Sequence, residues 1–275
     1  MTIAARNRFM QLATLASLLL AMIAVTSAIY ILMNGLLSAE RTGTRFYSGL
    51  DSIFLTPFSA RASLAPAIFF PLFSLCSLLY ILFAFEKTQT IEITFYAACV
   101  FVLSLESLRI LVPMYTLWSS SLFFITALSR IILFCRIIIT LSLLASVLFT
   151  TGQTNQQLGS SLFLLAFFSF TLVNVVPFNA ENVTSTYIIR SGYSRMILLF
   201  LFAIGGLAVL SYLIQGYTRG IREYRGAALG LVSFLLGYFL LGVCDSWLFF
   251  VCGAALLTQG SILYLKRIHA YYLWQ

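Results

Sequence analysis

The sequence predicts an all-α fold: a polytopic bundle of about eight transmembrane helices. Three observations predict it. Of 275 residues, 61% are hydrophobic and 9% charged, against roughly 25% charged in an ordinary soluble domain. So few polar side chains cannot solvate a globule of this size. The apolar residues gather into runs long enough to cross a hydrocarbon core of about 30 Å. The connections between the runs are short, so residues 1–275 read as a single integral membrane domain.

The first run follows a basic start at Arg6 and Arg8 and covers residues 10–37. "VTS" before Ala28 is a weak signal-peptidase site, and cleavage there would leave seven spans. The run continues past that point, so it reads as an uncleaved signal anchor. Residues 38–63 form the longest polar connection, and their second half mixes Ile, Phe and Leu with polar residues in the manner of a surface segment. The second span covers 64–85, with Pro66 and Pro71 near its start, and "EKTQT" turns the chain. The third, 91–112, carries Glu106 and Arg109 before Pro113. The apolar stretch at 118–149 is 32 residues long, about 48 Å as helix. It is expected to tilt or to begin with an interfacial segment, and its span is placed at 119–149.

After "TTGQTNQQ" the fifth span covers 158–176 and stops at Pro177. A second sizeable loop, containing an "NVT" tripeptide, leads to the sixth span at 196–214, where Gly205–Gly206 is a candidate helix break. "GYTRGIREYRG" is the clearest basic turn. The next 40 residues are too long for one crossing and divide at "VCDSW" into 226–242 and 246–265. Asp245 or Ser246 is expected to cap the last span. Gly226, Gly230, Ser233 and Gly237 recur at three- or four-residue spacing, a small-residue face that lets another helix approach closely. That neighbour is expected within the chain, with a second copy or another protein as the alternative.

The net charge of +8 does not indicate nucleic acid, because the arginines are scattered singly at the ends of apolar runs. It suits anionic lipid at a cytoplasmic face. With the N-terminus inside, eight basic residues (Arg6, Arg8, Lys87, Arg219, Arg222, Arg225, Lys266, Arg267) collect there, against five outside (Arg41, Arg45, Arg61, Arg190, Arg195). This bias predicts an N-in, C-in protein of the plasma (bacterial inner) membrane. The tail "KRIHAYYLWQ" would then lie at the inner interface.

Catalytic chemistry has little to work with. No Walker, nucleophile-elbow or zincin motif is present, and the single histidine, His269, follows the last run. Cys76, Cys99, Cys135, Cys244 and Cys252 form no C-x-x-C pair. No metal, cofactor or enzymatic activity is expected.

What remains is a set of charges where charge is expensive, about 2.5–3.5 kcal/mol each at mid-bilayer. Glu106 and Arg109 stand three residues apart, an ion-pair spacing on a helix. Arg130 and Arg136 interrupt the next run. Arg109, a turn from Pro113, is expected to reach the outer headgroups, whereas Glu106 and Arg136 lie deeper and are each other's best partners. The four together are the candidate binding site: one acid against three arginines leaves positive charge for an anionic ligand, or the four form a structural network. The chain reads as a receptor, scaffold or assembly subunit acting through a partner, with a small-solute or anion transporter as the alternative.

Overall fold

The structure, a computed structural model, describes residues 3–35, 58–85, 90–114, 122–149, 158–184 and 186–273. It contains eight helices long and apolar enough to cross a membrane: Ala4–Met33, Ala60–Ala84, Ile91–Met114, Phe123–Leu148, Leu158–Val175, Ser194–Thr218, Arg222–Gly242 and Trp247–Tyr272. The protein is an integral, multi-pass membrane protein. Helices are the answer to a solvent that offers no hydrogen bonds, because each satisfies its own backbone. The surface segment at 38–57, the turns at 86–89 and 150–157, the interfacial residues 118–121 and Trp274 lie outside the described residues.

The spans run alternately up and down, so both chain ends fall at one end of the bundle, here the terminal end. There Arg6 Nη2 donates to the Phe85 carbonyl at 3.0 Å, joining the start of the first span to the end of the second. At the opposite end the Ser59 amide donates to the Asp245 carbonyl at 3.0 Å. The third and fourth spans are mostly buried, whereas the fifth and sixth are peripheral and turn Phe163, Phe167, Leu199 and Leu207 outward. Many serine and threonine hydroxyls inside the bundle fold back on their own helices, as Ser104 donates to Phe101 O at 2.6 Å and Ser107 to Ser104 O at 2.7 Å, while Ser74 reaches across to Val100 O at 2.7 Å.

Several expectations need correction. The loop before the sixth span is a two-stranded antiparallel hairpin, β1 (Phe178–Val183) and β2 (Ile189–Ser191), with Phe178 opposite Ser191. Its turn is closed by Thr184 N donating to Ile188 O at 2.8 Å and Tyr187 N to Thr184 O at 3.0 Å. Tyr187 stands at φ +60°, a left-handed conformation costly for a side chain of this bulk. The strain is held because Tyr187 packs against two buried clusters, one of Ala28, Ile31, Leu64, Ala67 and Ile110 and one of Val112, Leu128 and Ile132. Gly205–Gly206 is no break: the sixth helix is continuous from Ser194 to Thr218. The last helix extends to Leu273, so Tyr271 and Tyr272 belong to it rather than to a separate tail. At its start Ser246, of the two candidate caps, receives the Phe249 amide on its hydroxyl oxygen at 3.4 Å.

The seventh and eighth spans meet through glycine. A Cβ on Gly230 would lie 2.7 Å from Tyr264 N and 2.9 Å from Gly260 O, and one on Gly237 would lie 2.7 Å from Gly253 O. Gly226 faces the Arg267 side chain, and Ser233 is half-buried. Gly253 and Gly260 of the eighth span, overlooked in the sequence, supply the other half of the contact: a Cβ on Gly260 would be 2.6 Å from Gly230 O. Backbone therefore meets backbone, a contact that small residues permit in lipid. Gly230→Ala is accordingly expected to lower stability by about 1–3 kcal/mol through forced separation of the two helices. Gly206→Ala, with nothing within 4 Å of the new methyl, should be neutral or mildly stabilising through helix propensity. Thermal unfolding of the purified variants in detergent measures both.

Candidate functional site

The third span carries two acids fourteen residues apart, Glu92 and Glu106. Fourteen residues are nearly four helical turns, so the two share a face about 21 Å apart. The seventh span repeats the spacing with Tyr224 and Tyr238. Both helices start at the terminal end, so they run parallel and the two pairs meet in register. Tyr224 donates to Glu92 Oε1 at 2.8 Å, and Tyr238 to Glu106 Oε1 at 3.1 Å. Between these rungs Tyr96 lies against Phe234, with ring centroids 5.7 Å apart. Both carboxylates are fully buried.

At the Glu106 rung, Arg136 of the fourth span donates Nε to Glu106 Oε1 at 2.9 Å. Its Nη2 reaches Gly242 O at 3.5 Å, the outer limit of a hydrogen bond. The Arg136 side chain keeps 23% of its surface exposed. That surface opens onto a cavity of about 90 Å³ between the fourth and sixth spans, roofed by the hairpin. Ser129, Thr184, Thr186, Ser191 and Ser194 line it with hydroxyl groups, and Ile132, Leu133 and Leu201 form its apolar side.

Arg109 is not at the headgroups. It is 1% exposed, with its guanidinium 5.5 Å over the Phe70 ring and no hydrogen-bond partner on any of its three nitrogens. The cause is local. Glu106–Ile110 is wound as a 3₁₀ helix, in which residues three apart eclipse each other. Arg109 therefore points to the same buried side as Glu106, whose Oε2 is also without a partner. No residue in the segment signals this winding, because it reads as continuous apolar helix. Arg130 turns the other way: it is exposed and lies 5.9 Å from the Phe178 ring centroid, holding the hairpin by a cation–π contact. Outside the spans, burial raises the Tyr187 hydroxyl above its ordinary pKa. Of the four candidate residues, Glu106, Arg109 and Arg136 thus gather in one buried cluster, and Arg130 does not join them.

The second acid was missed. Glu92 stands at the start of its span, where a charge arouses no suspicion, yet its fourteen-residue offset from Glu106 was there to be read. Around it lies a tyrosine array: Tyr212 and Tyr264 share a hydrogen bond of 2.6 Å, Ser146 lies 3.1 Å from Tyr212 Oη, and Tyr96 donates to Ser261 at 2.7 Å.

The cluster ranks substitutions. Arg136→Met strands Glu106 in the interior and should cost about 3–5 kcal/mol. Arg109→Met removes a buried cation that has no hydrogen bonds, and its cost should be distinctly smaller. Unfolding midpoints of the two variants in matched detergent decide the order; equal losses would contradict it.

No known protein family matches this chain, and no solved structure matches it. A protein of Treponema pallidum (strain Nichols), described as uncharacterized, is similar along the whole length of both chains at 24% identity.

Proposed function

We propose that this chain is a multi-pass receptor, scaffold or assembly subunit of the plasma (bacterial inner) membrane. On this reading its hairpin end faces outward, and the cavity over Arg136 holds a small anion or the anionic group of a larger ligand. The observation that carries the proposal is the state of Arg136. Glu106 occupies its Nε, its Nη2 makes only a long contact with Gly242 O, and the residue lines a cavity edged with hydroxyl groups. Guanidinium and hydroxyl donors are a natural lining for phosphate, sulfate or carboxylate. Glu106 with Arg109 and Arg136 sums to one net positive charge, so a singly charged anion would leave the interior neutral.

Binding, rather than passage, is favoured by what lies beyond the cavity. Toward the terminal end Ile139, Leu143 and Val147 of the same helix are fully buried in the apolar core. Thr140, one turn on from Arg136 along that face, turns its hydroxyl back onto the Arg136 and Ile137 carbonyls rather than into an open path. A receptor with such short soluble parts acts through a partner, and a second copy of the chain or another membrane protein fits that role.

The test uses the full chain in nanodiscs with phosphate, sulfate or short-chain phosphatidylglycerol as probes, the last separating a lipid headgroup from a free ion. Saturable thermal stabilisation by one probe is expected. It should fall about 10–100-fold in apparent affinity in the paired variant Glu106→Gln, Arg136→Met, as suits loss of a charged hydrogen-bond donor. Stabilisation that is absent, or unchanged in that variant, would remove the anion site. Uptake of the same probe into proteoliposomes would replace the receptor reading with the transporter one.

A further inference from the structure

We propose that the eighth span pairs with the eighth span of a second copy of this chain, through a stripe that contains Gln259. One face of this helix is held against the seventh span by Gly253 and Gly260. The opposite face carries Leu248, Cys252, Ala255, Gln259, Ile262 and Lys266, and all six are exposed. Their spacing alternates between four and three residues, which places them within about 80° of one another around the helix. A repeat of about 3.5 residues is the seam of a left-handed helix pair. The small side chains of Cys252 and Ala255 permit the close approach that helix packing in lipid requires.

One residue of the stripe is out of place in lipid. Gln259 is the thirteenth of the 26 residues from Trp247 to Tyr272, with twelve before it and thirteen after. Roughly 18 Å of helix therefore separates it from either end, farther than its side chain reaches. Polar residues elsewhere on the lipid-facing surface spend their groups on their own helix. Asn174 donates to Phe170 O at 2.9 Å, Ser211 to Leu207 O at 2.7 Å and Thr218 to Ile214 O at 2.8 Å. The Gln259 amide has no such bond among the described residues, and an unmet amide in hydrocarbon is costly. What meets it must come from outside the chain, at the same depth, and offer both a donor and an acceptor. A second Gln259 offers both. Two copies share one orientation in the membrane, so a twofold axis along its normal sets the residue opposite itself, each amide donating to the other's carbonyl. Lys266 closes the stripe seven residues on, toward the terminal end, where its ammonium parts from its copy into the headgroups. No residue of the stripe lines the cavity over Arg136, so the pairing supplies a partner for the receptor reading without resting on it.

The test uses the full chain in liposomes at falling protein-to-lipid ratios. Cys76 and Cys252 are the exposed cysteines, so oxidation with copper phenanthroline reports which face meets a copy. A product of twice the chain's mass is expected, kept in Cys76→Ser and lost in Cys252→Ser. Energy transfer between fluorescently tagged chains then gives the dissociation constant. Gln259→Leu should weaken pairing about tenfold, as suits the loss of reciprocal hydrogen bonds. Its unfolding midpoint in detergent should match wild type, because the new side chain faces lipid. A chain that stays monomeric, a cross-link through Cys76, or equal dissociation constants for wild type and Gln259→Leu would overturn the pairing. So would a cross-link through Cys252 to a different protein in native membranes. Because Arg136 is untouched throughout, this result stands or falls apart from the anion reading.

Discussion

The constraint on which the rest of this structure depends is the placing of two carboxylates in the interior of a lipid-soluble bundle. A buried acid needs donors, and here each acid finds the same one, a tyrosine of the seventh span. Because both helices carry their polar residues fourteen positions apart, one register serves both acids. A slip by one turn would leave two acids and two hydroxyls unsatisfied together. The ladder thereby sets the seventh span against the third, and the glycine contact sets the eighth against the seventh. Three of the eight spans are positioned by a handful of side chains, while the peripheral fifth and sixth spans rest mainly on apolar packing.

The same logic explains why charge accumulates at only one rung. Glu106 sits deep enough to require a cation, and Arg136 supplies it across the third and fourth spans. The 3₁₀ turn then brings Arg109 into the same neighbourhood, where it has an aromatic face and the field of Glu106 but no hydrogen bond. Buried ion groups of this kind contribute little net stability relative to an apolar packing of equal volume. Arg109 is thus a cation without a hydrogen bond, a burden to folding, and it stands next to the Glu106–Arg136 pair whose arginine lines the hydroxyl-bearing cavity. On the receptor reading, that burden is relieved by the ligand.

What was legible in the sequence follows from which interactions are local. The eight crossings are readable because hydrophobic length is a property of each segment alone, although the first helix starts six residues earlier and the last runs about two turns further than the apolar runs indicate. The Gly226–Gly237 face was readable as a period, but its partner glycines, Gly253 and Gly260, lie seven apart in a helix whose other residues hide the pattern. Glu106 and Arg109 share a face at their spacing in any helix, but their close alignment comes with a change from about 3.6 to about 3.0 residues per turn over Glu106–Ile110, which no residue there announces. The Tyr–Glu rungs join positions 132 residues apart, and a hydroxyl's choice of carboxylate is invisible until the spans are packed. The hairpin at 178–191 reads as loop because its β1 residues, Asn, Ala and Glu among them, lack strand-like alternation; it is held instead by Tyr187 and Arg130.

The hairpin links the cavity to the rest of the bundle. It roofs the space over Arg136 with Thr184 and Thr186, and three residues after Thr184 its tip inserts Tyr187 over the ends of the second, third and fourth spans. Among the described residues Tyr187 is the one non-glycine in a left-handed conformation, and the packing holds it there. A ligand bridging Arg136 and the threonine hydroxyls would pull on the roof and the floor of the cavity at once. Its binding energy would then bear on the hairpin tip and, through Tyr187, on Ile110 beside Arg109. On the receptor reading, this route would carry the binding of a group at one end of the bundle to the packing of its central spans.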